Sequence, residues 1–527
     1  MIKKILNNKK EYIIILLGLI FGVILCVGCD AYASRASLDR PLIHLIETIT
    51  RQDRGLAVFA NVILFVTGKN LVDFMLKKEN RWGKLALAYP AGVFVWMCAS
   101  IICLLVGIPY NAYVMGTVLV VGNIGLVILL KEKFDIETFI RDCGLFLVLA
   151  LILSSGLARN IVGNDTTFYN ENYGYWLVEE GGLGENLLVS MTATGLATPS
   201  LCSYFKMWNV DNIYLAQNIF RCVFVLFFYK AIEMVCTSKK KRILAVIGTL
   251  LLVSSPAYSL VGSWIISNSF MMFEMLMLAV FLYNLAQDKK EYLWLTMLVT
   301  FVVSFTRVEG AMISLFMVVC ALVLNIQKRY INFIILPSIV GQTVYQLLCM
   351  KFMKDVPNEL FVSTQSVVIL IAFMVLVFVL VQVLDLKCFQ AIKRKLGFII
   401  VAIGVLGTAG LCVLDYEKYA YNLKMTLTNI TYLGKTGSWG MMPLLFAVCI
   451  FLIIRKLHYE QYWDTMWIAY FVLILAICWS RESVLRVSLA DSGNRILIQI
   501  LPIFVMALMV HVDKLFLGEN YAEKHIR

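Results

Sequence analysis

The sequence predicts an all-α polytopic transmembrane protein with about 13–16 membrane-spanning helices. Three observations carry this. Of the 527 residues, 61% are apolar and only 15% charged. Apolar runs long enough to cross hydrocarbon recur from end to end, and Lys and Arg gather in every second connection between them. A helix of roughly 20 residues crosses about 30 Å of hydrocarbon. No soluble core absorbs this many apolar side chains, so a soluble globular domain, a disordered chain and a disulfide scaffold are excluded.

The runs fall at about 12–29, 55–76, 84–107, 112–130, 142–158, 212–236, 242–260, 264–286, 291–305, 310–326, 331–349, 365–386, 396–413, 440–455, 464–480 and 496–512. Several are short, which leaves room for one or two to merge or to re-enter without crossing. The first follows MIKKILNNKK, a flank resembling that of a signal peptide. The small-residue element after Cys29, Ala31-Tyr32-Ala33, is not taken as a cleavage site, and the run is expected to stay as a spanning helix.

Basic loops stay cytoplasmic. With Lys3, Lys4, Lys9 and Lys10 inside, the connections 77–84, 131–141, 239–242, 289–290, 328–329, 387–395 and 455–456 all fall on that side, and both termini come out cytoplasmic. The net charge of +12 is therefore read by position, not as a nucleic-acid footprint. The chain divides into an N-terminal four-helix module (1–141), a transmembrane core (142–515) and a cytoplasmic tail (516–527). The longer polar stretches, 30–54, 159–211, 350–364, 414–439 and 481–495, are placed outside, and chemistry is expected there. Within the first of them, 37–49 has Asp39 as N-cap, Pro41 in the first turn and an apolar stripe that suits a helix lying on the outer leaflet. The 14 cysteines sit mostly in apolar runs, lack metal-like spacing and read as small buried hydrophobes; Cys26 and Cys29 form a lone CxxC.

The stretch 159–183, RNIVGNDTTFYNENYGYWLVEEGGL, places Asp165 just ahead of a segment bearing Phe168, Tyr169, Tyr173, Trp176 and Leu177. That pattern predicts a short interfacial helix stopped by Gly181-Gly182. Asp165 or Thr166 is a natural cap for it, and a carboxylate at a helix start also serves as a general base. Residues 303–311, VSFTRVEGA, put Arg307 and Glu309 at an external boundary; their plainest reading is a mutual salt bridge. Residues 493–508, GNRILIQILPIFVMAL, put Arg495 at another boundary, where a snorkelling anchor is the plain reading. The 414–439 stretch carries Tyr416, Tyr419, Tyr421 and Tyr432 among Lys418, Lys424 and Lys435, which suits either an interfacial belt or a lid over a sugar phosphate. Glu274, within a Met-rich run, is a costly intramembrane carboxyl.

Taken together, these segments resemble the GT-C superfamily of polytopic membrane glycosyltransferases, of the bacterial, polyprenyl-phosphate-sugar-dependent type similar to protein mannosyltransferases and aminoarabinose transferases. The D-x-x-x-Y-N element followed by L-x-E-E-G matches at Asp165, Tyr169, Leu177, Glu179, Glu180 and Gly181. The T-R-x-E-G element matches at Thr306, Arg307, Glu309 and Gly310, and an R-x-(5–6)-P element at Arg495 and Pro502. The likeness spans about 150–510. Asn170 stands where many members carry His, and Asn268 where many carry an acid.

The resemblance implies a GT-C-like core with short external interfacial helices and catalytic loops 159–211, 414–439 and 481–495. It implies Asp165 as catalytic base, and Arg307, Glu309, Arg495, Tyr169 and Glu179 as substrate-binding residues. The donor would be a polyprenyl-phosphate-linked sugar; the acceptor would be a glycan, lipid or protein of the cell envelope, with membrane lipid around the chain and no nucleic acid. Some members use a divalent cation; here Asp165 with Glu171, Glu179 or Glu180 would supply donors, but helical spacing turns these acids to different faces, and no metal ligand is assigned. A transporter or flippase, or a polymerase or ligase of lipid-linked glycans, stands as the alternative.

Overall fold

The computed structural model describes residues 52–130, 135–154, 170–190, 195–210, 214–262, 266–352, 364–431, 439–456, 459–480 and 492–525. Every apolar run on these residues is helical, and no strand occurs among them. The run at 12–29 and the segment 37–49 lie outside the described residues.

In chain order come α1 (Gln52–Met75), α2 (Arg81–Val106), α3 (Ala112–Leu130) and α4 (Ile136–Ile152), then two short helices, α5 (Asn172–Glu179) and α6 (Ala197–Met207). They are followed by α7 (Tyr214–Val235), α8 (Lys241–Ser254), α9 (Pro256–Val261), α10 (Ser267–Ala286), α11 (Leu293–Thr306), α12 (Gly310–Ala321), α13 (Lys328–Phe352) and α14 (Thr364–Leu384). The last group is α15 (Leu396–Leu414), α16 (Tyr416–Thr431), α17 (Met442–Lys456), α18 (Trp463–Ser480), α19 (Ser492–Leu497) and α20 (Leu501–His525). Among the described residues, eight helices are long and apolar enough to cross a membrane, and three shorter apolar ones lie at Gly310–Leu324, Met442–Ile454 and Trp463–Ala476. The chain is a multi-pass membrane protein, and its described secondary structure is all helical.

Burial separates the centre of the bundle from its rim. The apolar stretches of Ser267–Ala286 and Arg495–Phe516 are 89% and 94% buried, so α10 and α20 form the axis, with α7, α8, α11, α12 and α18 packed around them. By contrast, α3 and α15 bury only 17% of theirs and present Val120, Val121, Ile403 and Leu406 outward, as lipid-facing helices do.

The tightest helix pair is α1 against α2. A Cβ at Gly68 would stand 1.8 Å from the Ala88 carbonyl oxygen, and one at Gly92 would stand 1.8 Å from that of Leu64. Only glycine lets these two backbones meet, which is how helices gain dispersion contacts in a solvent as apolar as their own side chains.

Basic connections meet at one end. There Asp142, fully buried, accepts from Arg81 Nε at 2.9 Å and from Nη2, and Lys69 Nζ stands 3.2 Å from its other oxygen. Tyr292 donates to Glu79 at 2.8 Å, and the Asp513 carboxylate accepts from the backbone of Thr237 at 2.8 Å and Ser238 at 3.2 Å. Gln461 donates to the Arg394 carbonyl at 2.6 Å. A charged cavity of about 400 Å³ opens at this end between α1, α2 and α4, where Lys69, Lys77, Arg81 and Lys84 face Asp73 and Asp135.

Candidate functional site

The opposite end carries the motif residues. The helix predicted from the aromatic spacing after Asp165 is α5, which ends at Glu180, with Gly181 in the left-handed region at φ +68°. Its buried face is Tyr173, Gly174 and Leu177, and Gly174 lies directly on α6 near Pro199 and Cys202. In turn α6 is buried along nearly its whole length. Trp96 Nε1 donates to the Ser200 carbonyl at 2.6 Å, the Tyr204 hydroxyl donates to that of Ala60 at 2.7 Å, and Tyr110 shares a 2.5 Å hydrogen bond with Ser203. A stretch expected as external loop is thus partly a buried helix, because α1 and α2 supply partners for its polar groups.

The T-R-V-E-G element makes a tight αα-hairpin between α11 and α12. On α11, Thr296, Thr300, Ser304 and Thr306 are fully buried, and the hydroxyls of the first three donate to the carbonyl four residues back at 2.7–2.8 Å. Arg307 then leaves the helix with extended backbone, and Gly310 turns back against the Val303 carbonyl, 2.2 Å from where a Cβ would sit.

Here Arg307 Nε donates to Glu309 Oε1 at 2.5 Å, the salt bridge that the spacing suggests, and Nη1 donates to Ser267 Oγ at 3.2 Å. Its Nη2 has no partner among the described residues. Held on two sides, the guanidinium keeps a fixed plane with donors to spare, an arrangement suited to a phosphate oxygen. Glu309 therefore orients the arginine, and its own carboxylate is engaged.

Gly195 and Ser267 lie directly on this hairpin, and further segments are linked to it through them. Gly195 lies against it so closely that a Cβ would come 2.0 Å from the Phe305 carbonyl and 2.6 Å from Arg307 N, which brings the end of the 159–211 stretch to the arginine. Beside Ser267, Asn268 accepts from Gln499 Nε2 at 2.7 Å, and Gln499 accepts from the Tyr470 hydroxyl. Tyr470 is also within electrostatic reach of Arg307 and Glu309. Arg495, half-buried on α19, precedes Gln499 by one helical turn, and α16 packs across α18 and α19 with Tyr416 and Tyr421 exposed. Arg307 and Arg495, 188 positions apart in the chain, are thereby joined through Ser267–Asn268 and Gln499.

Glu179 does not join this group. Its side chain is 59% exposed and faces Lys206 at 3.9 Å. Glu171 accepts from the Tyr175 hydroxyl at 2.8 Å. Glu274 is fully buried two turns below Ser267: Oε2 accepts from Thr306 at 2.7 Å, while Oε1 has no partner among the described residues. Asp165 and Tyr169 lie outside the described residues. Sequence reasoning missed Ser267, Gln499 and Tyr470; the signal for the last two was a polar group inside an otherwise apolar run.

No family model, no curated protein and no solved structure matches the chain.

Proposed function

We propose that the chain is an integral membrane glycosyltransferase of GT-C type, which moves a sugar from a polyprenyl-phosphate carrier to a cell-envelope acceptor at the external face. The observation that supports this reading best is the convergence at one end of the bundle, where Arg307, oriented by Glu309 and Ser267, is tied through Asn268 and Gln499 to the helix start that bears Arg495. The basic connections gather at the other end, which by the positive-inside rule supports an external position for this one.

In the proposed reaction Asp165 takes the proton of the acceptor hydroxyl as its oxygen bonds to the anomeric carbon. The bond from that carbon to the carrier phosphate breaks, and the phosphate leaves with the electron pair. Arg307 and Arg495 stabilise the charge that grows on it, and the single displacement inverts the anomeric centre. Tyr169 and the α16 tyrosines supply aromatic surface for the sugar. The test is transfer from a radiolabelled polyprenyl-phosphate sugar in membranes. Asp165→Asn and Arg307→Lys are each expected to lower turnover by about 10²-fold or more at normal protein level. Full transfer by Asp165→Asn refutes the base role, and full transfer by both variants refutes the site.

One observation favours a second reading, a transporter of lipid-linked sugars: Glu274 buries a carboxyl inside the bundle with one oxygen unpartnered among the described residues. Sugar-lipid flux in vesicles, without any transfer and lost in Glu274→Gln, would select it.

A further inference from the structure

Cys449 on α17, Asp464 on α18 and His511 on α20 meet near the basic end of the bundle, away from the Arg307 site. The sulfur, a carboxylate oxygen and a ring nitrogen lie within 4.8 Å of one another, and all three residues are buried. The carboxylate is held from outside the group, by the backbone N–H of Glu460 at 2.7 Å and by Trp467 Nε1 at 3.3 Å. Each of its oxygens stands 3.0 Å from His511 Nε2. Ligands on one tetrahedral zinc ion, at about 2.0–2.1 Å for N and O and about 2.3 Å for S, are separated by roughly 3.3–3.6 Å. The three atoms lie within about 1.5 Å of those separations.

We propose that these side chains form a zinc(II) site that fastens α17, α18 and α20 together, and this proposal stands independently of the glycosyltransferase reading. A hydrogen-bonded His–Asp pair accounts for His511 and Asp464. It leaves the Cys449 sulfur, fully buried and without a hydrogen bond among the described residues, beside a carboxylate; a shared cation accounts for all three. The donor chemistry selects the metal. Calcium and magnesium prefer all-oxygen shells, whereas a mixed sulfur, nitrogen and oxygen set suits zinc. Charge also balances: a thiolate, a carboxylate and a neutral imidazole around a divalent ion sum to zero, as a low-dielectric interior requires. On loading, the Cys449 thiol gives its proton to solvent as the sulfur–zinc bond forms, the imidazole proton moves by way of solvent from Nε2 to Nδ1, and the freed Nε2 lone pair and the carboxylate exchange their mutual contact for bonds to the ion. The Glu460 and Trp467 contacts would orient the carboxylate in the bound state.

The experiment uses the full chain purified in detergent, stripped with a chelator and dialysed against zinc, with metal counted by mass spectrometry. One zinc per chain is expected. Cys449→Ser and His511→Gln should each weaken binding by more than the roughly 10–100-fold that loss of an outer contact costs. Cys320→Ser, at a buried cysteine outside the group, should bind as the parent does. Cobalt(II) loading should give thiolate charge-transfer absorption in the parent and lose it in Cys449→Ser, with helical circular dichroism confirming that each variant is folded. A folded parent that holds no zinc, or a folded Cys449→Ser that holds as much as the parent, overturns the proposal.

Discussion

Asp142→Asn is expected to destabilise the folded chain by about 3–5 kcal/mol. The fully buried carboxylate lies 3.2 Å from Lys69 Nζ and accepts Arg81 Nε at 2.9 Å. At that Lys69 separation and an effective dielectric constant near 20, the attraction between unit charges is about 5 kcal/mol. Asparagine keeps the shape and one acceptor but carries no charge, so Lys69, itself 3% exposed, retains only Asp73 as its anion. Arg81, with a side chain 21% exposed, recovers part of its loss by turning to water, which brings the expected cost below the full attraction. Lys69→Met, which leaves Asp142 with Arg81, should cost less, about 1.5–3 kcal/mol. The double variant should fall short of the sum by about 0.5–3 kcal/mol, since the two changes remove one shared interaction. Reversible unfolding in mixed micelles, followed by helical circular dichroism, measures all three. A single-variant cost under about 1 kcal/mol for Asp142→Asn, or additivity within about 0.5 kcal/mol, refutes the reasoning.

Two further outcomes can be read by the same unfolding assay. Gly68→Ala places a methyl 1.8 Å from the Ala88 carbonyl and should cost about 1–3 kcal/mol by forcing α1 from α2, whereas Gly122→Ala on α3, with no atom within 4 Å, should be neutral or stabilise by up to about 1 kcal/mol; equal effects would count against close approach as the cause. Asp135 caps α4, accepting from Thr138 Oγ1 at 2.6 Å and from the backbone of Thr138 at 3.3 Å and Glu137 at 3.2 Å; these bonds, the Thr138 hydroxyl foremost, hold its carboxyl below the ordinary value of 3.8. Asp135→Ala should therefore cost about 1 kcal/mol, a difference fully present above pH 3.8 and lost as pH falls through the lower folded value; a difference that persists in stronger acid argues against the charged cap.

The helices were legible because apolar length is written locally: each run from 55–76 to 496–512 that lies on described residues is helical. Local signals also found the turn after α5, since Gly181 supplies a positive φ, and the Arg307–Glu309 bridge, since a single residue separates charges that a tight turn brings together. What the sequence hid is tertiary. The burial of α6 depends on Trp96, Tyr110 and Ala60, which stand 93 to 144 residues before their partners. The link from Arg307 to the segment bearing Arg495 runs through Ser267, Asn268 and Gln499, none of which stands beside either arginine in the chain. Cys449, Asp464 and His511 are spaced too irregularly to form a motif, so Cys449 read as one more small hydrophobe. Glu179, part of the local L-x-E-E-G pattern, is 59% exposed and faces Lys206, apart from the Arg307 group.

The buried helix α6 has 11 residues, fewer than the roughly 12–15 at which even Ala-rich helices become marginal in water. Its conformation is therefore set by the wall it leans on, through the indole of Trp96, the phenol of Tyr110 and the carbonyl of Ala60. The backbone beside Arg307 begins two residues before α6, at Gly195. A substitution in the first third of the chain, such as Trp96→Phe, removes a support of α6 and is thereby expected to loosen the backbone that adjoins that arginine.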